Sequence, residues 1–396
     1  MKYDYMEIGD IAEVTKLAGF EFTKYIEYID DGEIIALRAL NLRHGELDLS
    51  DVKRIDRQVS DSLLRSKLYR DDILLTYTGN GYGDCAIIEE NDKYHLAPNI
   101  CKITPNTTKI DPYFLYSYIR TNEFYQTMSN HMTGSSQPTI PMKTIRVLKV
   151  PVPSMEEQRK IASFMKSINI AIRNNTAINE NLEQQAQAIF SNEFLTLETL
   201  PDGWKQASLI DIADYLNGLA MQKYRPTADE SGIPVLKIKE LRQGCCDDNS
   251  KLCSPNIKSD YIIHDGDVIF SWSGSLLVDF WCGGICGLNQ HLFKVTSNKY
   301  DKWFYYAWTK HHLDRFIAVA ADKATTMGHI KRDELSKAEV FIPNEADYNR
   351  IGAMLQPIYD LIIANRIENQ KLAETRDTLL PKLMSGEIDI SEVDYE

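Results

Sequence analysis

The stretch VPVPSMEEQRKIASFMKSI occupies Val150–Ile168, and VFIPNEADYNRIGAMLQPI occupies Val340–Ile358. In both, a β-branched run meets a proline, then a capping residue, an acidic turn and a long amphipathic pattern. Pro153 pairs with Pro343 and Ile161 with Ile351, at a constant offset. Ser154-x-x-Glu157 has the form of a capping box, which satisfies the orphan N–H groups at a helix start. The chain therefore builds one strand-to-helix junction twice, at its middle and near its end.

Other blocks repeat in the same order. GDIAEV (Gly9–Val14) returns as IDIADY (Ile210–Tyr215), and RALNLRHG (Arg38–Gly45) as KIKELRQG (Lys237–Gly244). RDDILLTYTG (Arg70–Gly79) returns as HDGDVIFSWSG (His264–Gly274), which sets Asp72 on Asp267 and Gly79 on Gly274. IDPYFLYSYI (Ile110–Ile119) returns as YDKWFYYAWT (Tyr300–Thr309). This is a tandem duplication, with small loop insertions shifting the offset. Short β-branched and aromatic runs between Gly, Asn and Asp turns read as strands. A helix of moderate length then opens at Asp111 or Asp301, and the long helix closes each copy.

The pattern predicts an α+β chain: two pseudo-repeated, mixed, strand-rich domains joined by two long antiparallel coiled-coil helices. The expected boundaries are 1–153 for the first domain, 154–197 for the central helix, 198–343 for the second domain, and 344–396 for the distal helix and tail. Every seventh residue from Ile161 gives Ile168, Asn175, Leu182 and Ile189, with Phe164, Ala171 and Ile178 as companions three positions on. The second copy gives Ile351, Ile358, Asn365 and Leu372, with Met354 and Leu361 as companions. This is an a/d seam with one polar interruption at the same place in both helices. The expectation is that Asn175 and Asn365 lie close together near a pseudo-two-fold axis. The alternative is that each points to water. Rods of 30–40 residues would be roughly 45–60 Å long, holding two similar domains apart. Pro357 is expected to kink the second helix.

The 396 residues are too many for one ordinary core. The start, MKYDYMEIGD, lacks the charged and apolar regions of a secretory signal, and no run of about 18 apolar residues is present. Seven cysteines, an odd number at irregular spacing, read as reduced thiols in a cytoplasmic protein. Cys245, Cys246, Cys253, Cys282 and Cys286 lack the C-x2-C spacing of zinc knuckles and read as core or surface thiols, so no metal is expected. His311-His312 reads as surface. There is no P-loop, and TGNGYGD (Thr78–Asp84) reads as a turn. DPYF (Asp111–Phe114) is one proline short of an adenine-methyltransferase motif; an Asp N-cap followed by Pro explains it, and Asp301 is expected to cap likewise. No nucleophile, base and orienting group stand out together, so the chain reads as a reader or scaffold without cofactor.

The net charge of −13 opposes nucleic-acid binding by bulk attraction. Residues 1–150 carry 18 basic and 22 acidic side chains, residues 201–343 carry 17 and 18, and residues 344–396 carry 5 and 11. The acidity is concentrated in the last helix and tail, which leaves room for local basic faces on the domains.

The motifs VPVPSMEEQRKIASF, LPDGW (Leu200–Trp204), GIPVLKIKELRQG followed by DGDVIFSWSG, and TRDTLLPKLMSGEI (Thr375–Ile388) together resemble the specificity subunit of type I restriction-modification systems. The resemblance spans essentially the whole chain and departs from the pattern at NEADYNRI. It implies two target-recognition domains, each reading one half of a split, asymmetric double-stranded DNA site. It implies that the paired helices set the spacer and dock two modification subunits, which would carry S-adenosylmethionine and methylate adenine. Restriction subunits using ATP and Mg would complete the complex. Half-sites about one DNA turn or more apart would suit such a reader.

Candidate DNA contacts are equivalent positions carrying basic, aromatic, hydroxyl or amide groups. Arg38 matches Lys237 and Arg43 matches Arg242; Tyr77 and Asn80 match Trp272 and Ser275; Ser135, Ser136 and Gln137 match Thr325, Thr326 and Met327. Cations suit phosphate or guanine, and Gln suits adenine. The alternative for each is a solvated strand end or a core aromatic. A second reading of the chain is a duplicated protein-binding scaffold that dimerises through its coiled coil. A third, a self-sufficient methyltransferase or nuclease, lacks its motifs.

Overall fold

The β-branched runs of the two copies form the same main sheet twice. The computed structural model describes residues 3–43, 45–79, 81–132, 138–322, 330 and 332–390. Contacts divide the chain into two units: Met1–Ile170 with Ala373–Glu396, and Ala171–Leu372.

In the first unit a four-stranded antiparallel sheet runs in the order Ala12–Lys16, Ile100–Pro105, Ile73–Thr76, Cys85–Ile87. In the second the order is Asp214–Asn217, Leu292–Thr296, Val268–Ser271, Leu277–Phe280, with the same connectivity. Ile103 sits between Val14 and Ile73 in one sheet, as Val295 sits between Tyr215 and Val268 in the other. A second sheet accompanies each, of three strands in the first unit and four, with Ile262–Ile263 added, in the second. Ile34–Leu37 lies parallel to Tyr94–Leu96 and antiparallel to Lys53–Ile55. Ile233–Leu236 lies parallel to Cys286–Leu288 and antiparallel to Leu252–Cys253. A two-stranded ribbon then joins the head of each unit to the strand feeding a long helix: Asp4–Glu7 with Lys149–Val152, and Lys205–Ser208 with Glu339–Ile342.

A polar device is duplicated too. Asp72 accepts from Tyr69 N–H and pairs with Lys102 at 3.6 Å. Asp267 accepts from His264 N–H and pairs with Lys294 at 2.8 Å. Each carboxylate fixes the turn ahead of a central strand and neutralises a lysine rising from the neighbouring strand.

The long helices are Met155–Phe190 and Glu345–Met384, and the second runs through Pro357 as one helix. Ser154 and Glu157 form the reciprocal cap read from the sequence: Ser154 N–H donates to Glu157 Oε2 at 3.0 Å, and Glu157 N–H to Ser154 Oγ at 3.3 Å. At the equivalent junction Asn344 takes the serine's place, accepting from Asp347 N–H at 2.9 Å. Asp347 in turn accepts from the Trp204 indole at 2.9 Å.

In the first unit Ile161, Ala162 and Met165 pack in one core with Leu380, Leu383 and Met384 from the end of the distal helix. In the second, Ala186, Phe190 and Phe194 pack with Ile351, Leu355, Tyr359, Ile362 and the aromatic helix Lys302–His311. The pairing within the second unit is antiparallel. Asn175 donates to Glu368, Asn365 donates to Asn179, and Arg350 binds Glu193, so partner numbers fall as the central helix advances.

The seam departs from strict heptads. Ile161 and Ile168 are buried, Leu182, Ile358 and Leu372 are half-buried, and the companions Ile178 and Leu361 are each 45% exposed. Asn175 does not meet Asn365. The buried partner of Asn365 is Asn179, one turn on, whose amide also donates to Ile362 O at 3.2 Å. Ile168, Asn179 and Phe190, all buried, lie at intervals of eleven. A helix of 3.6 residues per turn drifts about 20° per heptad, so the buried stripe moves off the seventh position within two or three heptads. A near two-fold relation survives in the backbone contacts: Asn179 donates to Ile362 O, and Asn369 donates to Ile172 O at 3.3 Å.

Three further expectations change. His312 is buried at 8% exposure, its Nε2 2.7 Å from Glu339 O, so the His pair is not a surface feature. Burial pushes its pKa down to about 4. Asp301 occupies the N-cap position without capping; its carboxylate accepts from the Tyr348 hydroxyl at 3.1 Å instead. Asp111 does cap, accepting from Tyr113 and Phe114 N–H, which occupies the carboxylate that a methyltransferase motif would need.

Candidate nucleic-acid interface

In the first unit Tyr77 follows the central strand and is pinned by its backbone, donating to Asn99 O and accepting from Ile140 N–H. Its ring packs half-buried on the core, and Lys16 Nζ lies 5.2 Å from the ring centre. The chain then turns at Gly79, whose φ of +89° is open to glycine without strain. Gly79 N–H donates to Pro138 O at 3.0 Å, and the Thr78 and Thr139 hydroxyls are 2.5 Å apart. The Gly79 turn is thereby tied to the flank of the loop before the long helix. Tyr82 stacks on Tyr125 at 5.2 Å on the same turn. Asn80, Ser135, Ser136 and Gln137 lie outside the described residues.

The second unit repeats the frame with other side chains. Trp272 donates its backbone N–H to His291 O and accepts from Ile330 N–H. Its indole N–H donates to Asn217 Oδ1 at 3.0 Å, and the ring stacks on Phe293 at 5.6 Å. Asn217 and Lys16 occupy the same place at the end of equivalent edge strands. Ser273 Oγ lies 3.0 Å from His291 Nδ1. Ser275, beyond the Gly274 turn, is exposed. Thr325 and Thr326 lie outside the described residues.

The duplicated cations divide. Arg38 is held by Asp51, at 2.8 Å to its carbonyl and 3.2 Å to its carboxylate. Arg43 is exposed and pairs weakly with Asp48 at 3.6 Å. Its hairpin, Leu42–Leu47, reaches the Gly83 side of the Tyr82 turn: Gly45, Gly83, Arg120 and Tyr125 share the lining of a pocket of about 270 Å³. Arg242 is exposed on the short helix Ile238–Gln243. Lys237 lines a cleft of about 510 Å³ that the sequence did not disclose, with Gln222, Arg225, Lys251, Asn289 and the exposed Leu252 around an apolar floor of Met221 and Val235. The loop from Asn289 leads directly to His291 and Trp272. The MQKYRP run (Met221–Pro226) and the match of Lys251 to Lys53 were the available signals.

Burial pushes the Cys85 and Cys101 thiols up to about 12 and Cys282 to about 11, which keeps them protonated. Among the described residues no group of three His, Cys, Asp or Glu side chains is placed to hold a metal ion, and no helix is long and apolar enough to cross a membrane. Each unit instead offers hydroxyls, aromatic edges, amides and cations on loops fixed by a sheet, which suits recognition.

Comparison with known proteins agrees. The family model described as the type I restriction modification DNA specificity domain matches residues 1–184 and again 201–374. The type I restriction enzyme MjaIX specificity subunit of Methanocaldococcus jannaschii is 26% identical over 305 residues, 71% of this chain and 70% of that protein. The HindI specificity subunit of Haemophilus influenzae is 20% identical over 463 residues, 96% of this chain and 98% of that one. Among solved structures, the S subunit of a type I restriction-modification system from M. genitalium shares the fold. Its TM-score is 0.62 at 13% identity, with 97% of this chain and 96% of that chain covered.

Proposed function

The chain belongs to the type I restriction-modification DNA specificity family, and from that premise we propose that it is the non-catalytic, sequence-reading subunit of a DNA adenine-methylating complex. Each target-recognition domain, residues 1–153 and 198–343, reads one half of a bipartite, asymmetric double-stranded DNA site. The two long helices set the spacer between the halves and dock two modification subunits that bring S-adenosylmethionine. Restriction subunits with ATP and Mg act on the same assembly.

One observation carries this reading. The same sheet presents the same pair of loops at the same strand end in both units, but with different chemistry: Lys16 and Tyr77 in one, Asn217 and Trp272 in the other. A duplicated scaffold with diverged loops reads two different sequences. Specificity resides in contacts to base edges, whereas phosphate contacts supply affinity. With a net charge of −13, the chain relies on its partners for much of the phosphate contact.

Co-expression with the modification subunits, followed by mapping of methylated adenines, tests the proposal. A split motif is expected, together with weak DNA binding by the chain alone. Nanomolar, sequence-specific binding by the isolated chain would contradict the shared role, and absence of any split motif would contradict bipartite reading.

A further inference from the structure

The two recognition domains differ in how they carry charge at one equivalent place. Leu37 and Leu236 occupy matching positions in the parallel pairs, opposite Leu96 and Leu288. The next residues, Arg38 and Lys237, are therefore equivalent. Lys53 lies opposite Ala36, and Lys251 O accepts from Val235 N–H, which makes that pair equivalent too. Lys24 corresponds to Arg225 at the offset of the first repeat block.

In the second unit these three cations converge on one cleft, beside Gln222 and Asn289. None of Arg225, Lys237 and Lys251 has an ion-pair partner among the described residues. The segment 219–237 holds three basic and two acidic residues, and Glu230 is turned to Thr227 N–H and Asn256. In the first unit the segment 18–38 holds two basic and five acidic residues. Arg38 is there bound by Asp51.

We propose that the cleft lined by Arg225, Lys237 and Lys251 is a DNA-backbone anchor, so that the half-site read by the second domain supplies most of this chain's own phosphate contact. The inference rests on the DNA-reading function above. Three uncompensated cations around a groove are complementary to a run of phosphates, and each neutralised phosphate releases counterions. Gln222, exposed at the rim, can approach a base edge once the backbone is seated. In the first domain Arg38 is paired with Asp51 and the segment 18–38 carries five acidic side chains around Lys24, so that half-site is held more by base contacts and by partner subunits.

The test uses the full chain assembled with its modification subunits and a duplex carrying the mapped methylation motif. Affinity is measured between 50 and 200 mM salt. At about 0.9 in the logarithmic salt slope per phosphate contact, R225Q/K237Q/K251Q is expected to lower the slope by about 2–3, with the methylated motif unchanged. The exposed single variants R225Q and K251Q are each expected to lower it by about 0.9, independently of any effect on folding at Lys237. K24Q/K53Q is expected to lower it by less than about 1. A cleft variant with the wild-type slope, or an equal loss in K24Q/K53Q, would overturn the anchor. A wild-type complex with no sequence preference would instead overturn the function on which it rests.

Discussion

Removing one side of the Asn179–Asn365 pair tests how the long helices are held in register. Asn365 Nδ2 donates to Asn179 Oδ1 at 2.8 Å, with the two residues 8% and 7% exposed. Asn365→Ala leaves the Asn179 carbonyl oxygen without its donor in a site that water cannot reach well. A stranded buried polar group costs about 1–3 kcal/mol. Asn179→Ala strands the Asn365 amide and also deprives Ile362 O of its 3.2 Å donor, so its cost belongs at the upper end of that range. In units of 150–250 residues, 1 kcal/mol shifts Tm by about 2–4 °C, so losses of roughly 2–12 °C are expected. The double alanine variant should cost less than the sum, with a coupling energy of about 0.5–3 kcal/mol. Asn179→Leu with Asn365→Leu should recover much of the loss, since a paired polar group can be replaced by apolar packing at little cost. Asn175→Leu should change stability by less than about 0.5 kcal/mol, because Asn175 meets Glu368 in an exposed contact at 3.0 Å. Calorimetry or urea unfolding across this cycle gives the answer. Strictly additive alanine variants would refute the pairing, as would a larger effect at Asn175 than at Asn179.

Three further outcomes follow from the same contacts. Because burial holds the His312 pKa near 4 against an ordinary 6.5, stability is full above pH 6.5 and falls as pH drops towards 4, where only the unfolded chain takes up the proton. The loss is roughly 3 kcal/mol, and His312→Gln should flatten that part of the pH profile in urea titrations; an unchanged profile would count against it. Asp72→Ala abandons Lys102 at 8% exposure and should cost about 3–5 kcal/mol. Asp267→Ala, in a pair whose side chains are 24% and 15% exposed, should cost clearly less, and equal penalties in denaturant unfolding would argue against burial as the cause. Ser154→Ala removes half of a capping box and should destabilise by about 1 kcal/mol in the same assay.

The repeat was legible because it is written in features that act locally. Asp72 and Asp267 each fix their own turn, Gly79 and Gly274 each take positive φ, and the caps at Ser154 and Asn344 are made within one helical turn. The sheet order itself is not written there; its recurrence in both units parallels the recurrence of these blocks. What escaped the sequence depends on accumulated geometry or on distant partners. A strict heptad extended along a helix that drifts points to Asn175, whereas the buried position is Asn179. His312 reads as a surface residue, but Glu339 O and the surrounding aromatic rings cover it. Asp301 has a cap's position but loses that role to Tyr348, which stands where the first copy has Gln158. The basic cleft gathers Arg225, Lys237 and Lys251 from three segments, which no single stretch of sequence displays. Tyr77 and Trp272 read from sequence equally as recognition or core residues; both are half-buried, and their partners differ between units.

The central claim is that each domain reads its own half of one DNA site. The most direct measurement is adenine-methylation mapping after residues 1–150 are exchanged for the corresponding domain of a family member with a different target, in complex with the same modification subunits. The account predicts that one half of the split motif changes while the other half and the spacer stay the same. A motif that changes in both halves, or in neither, would contradict it.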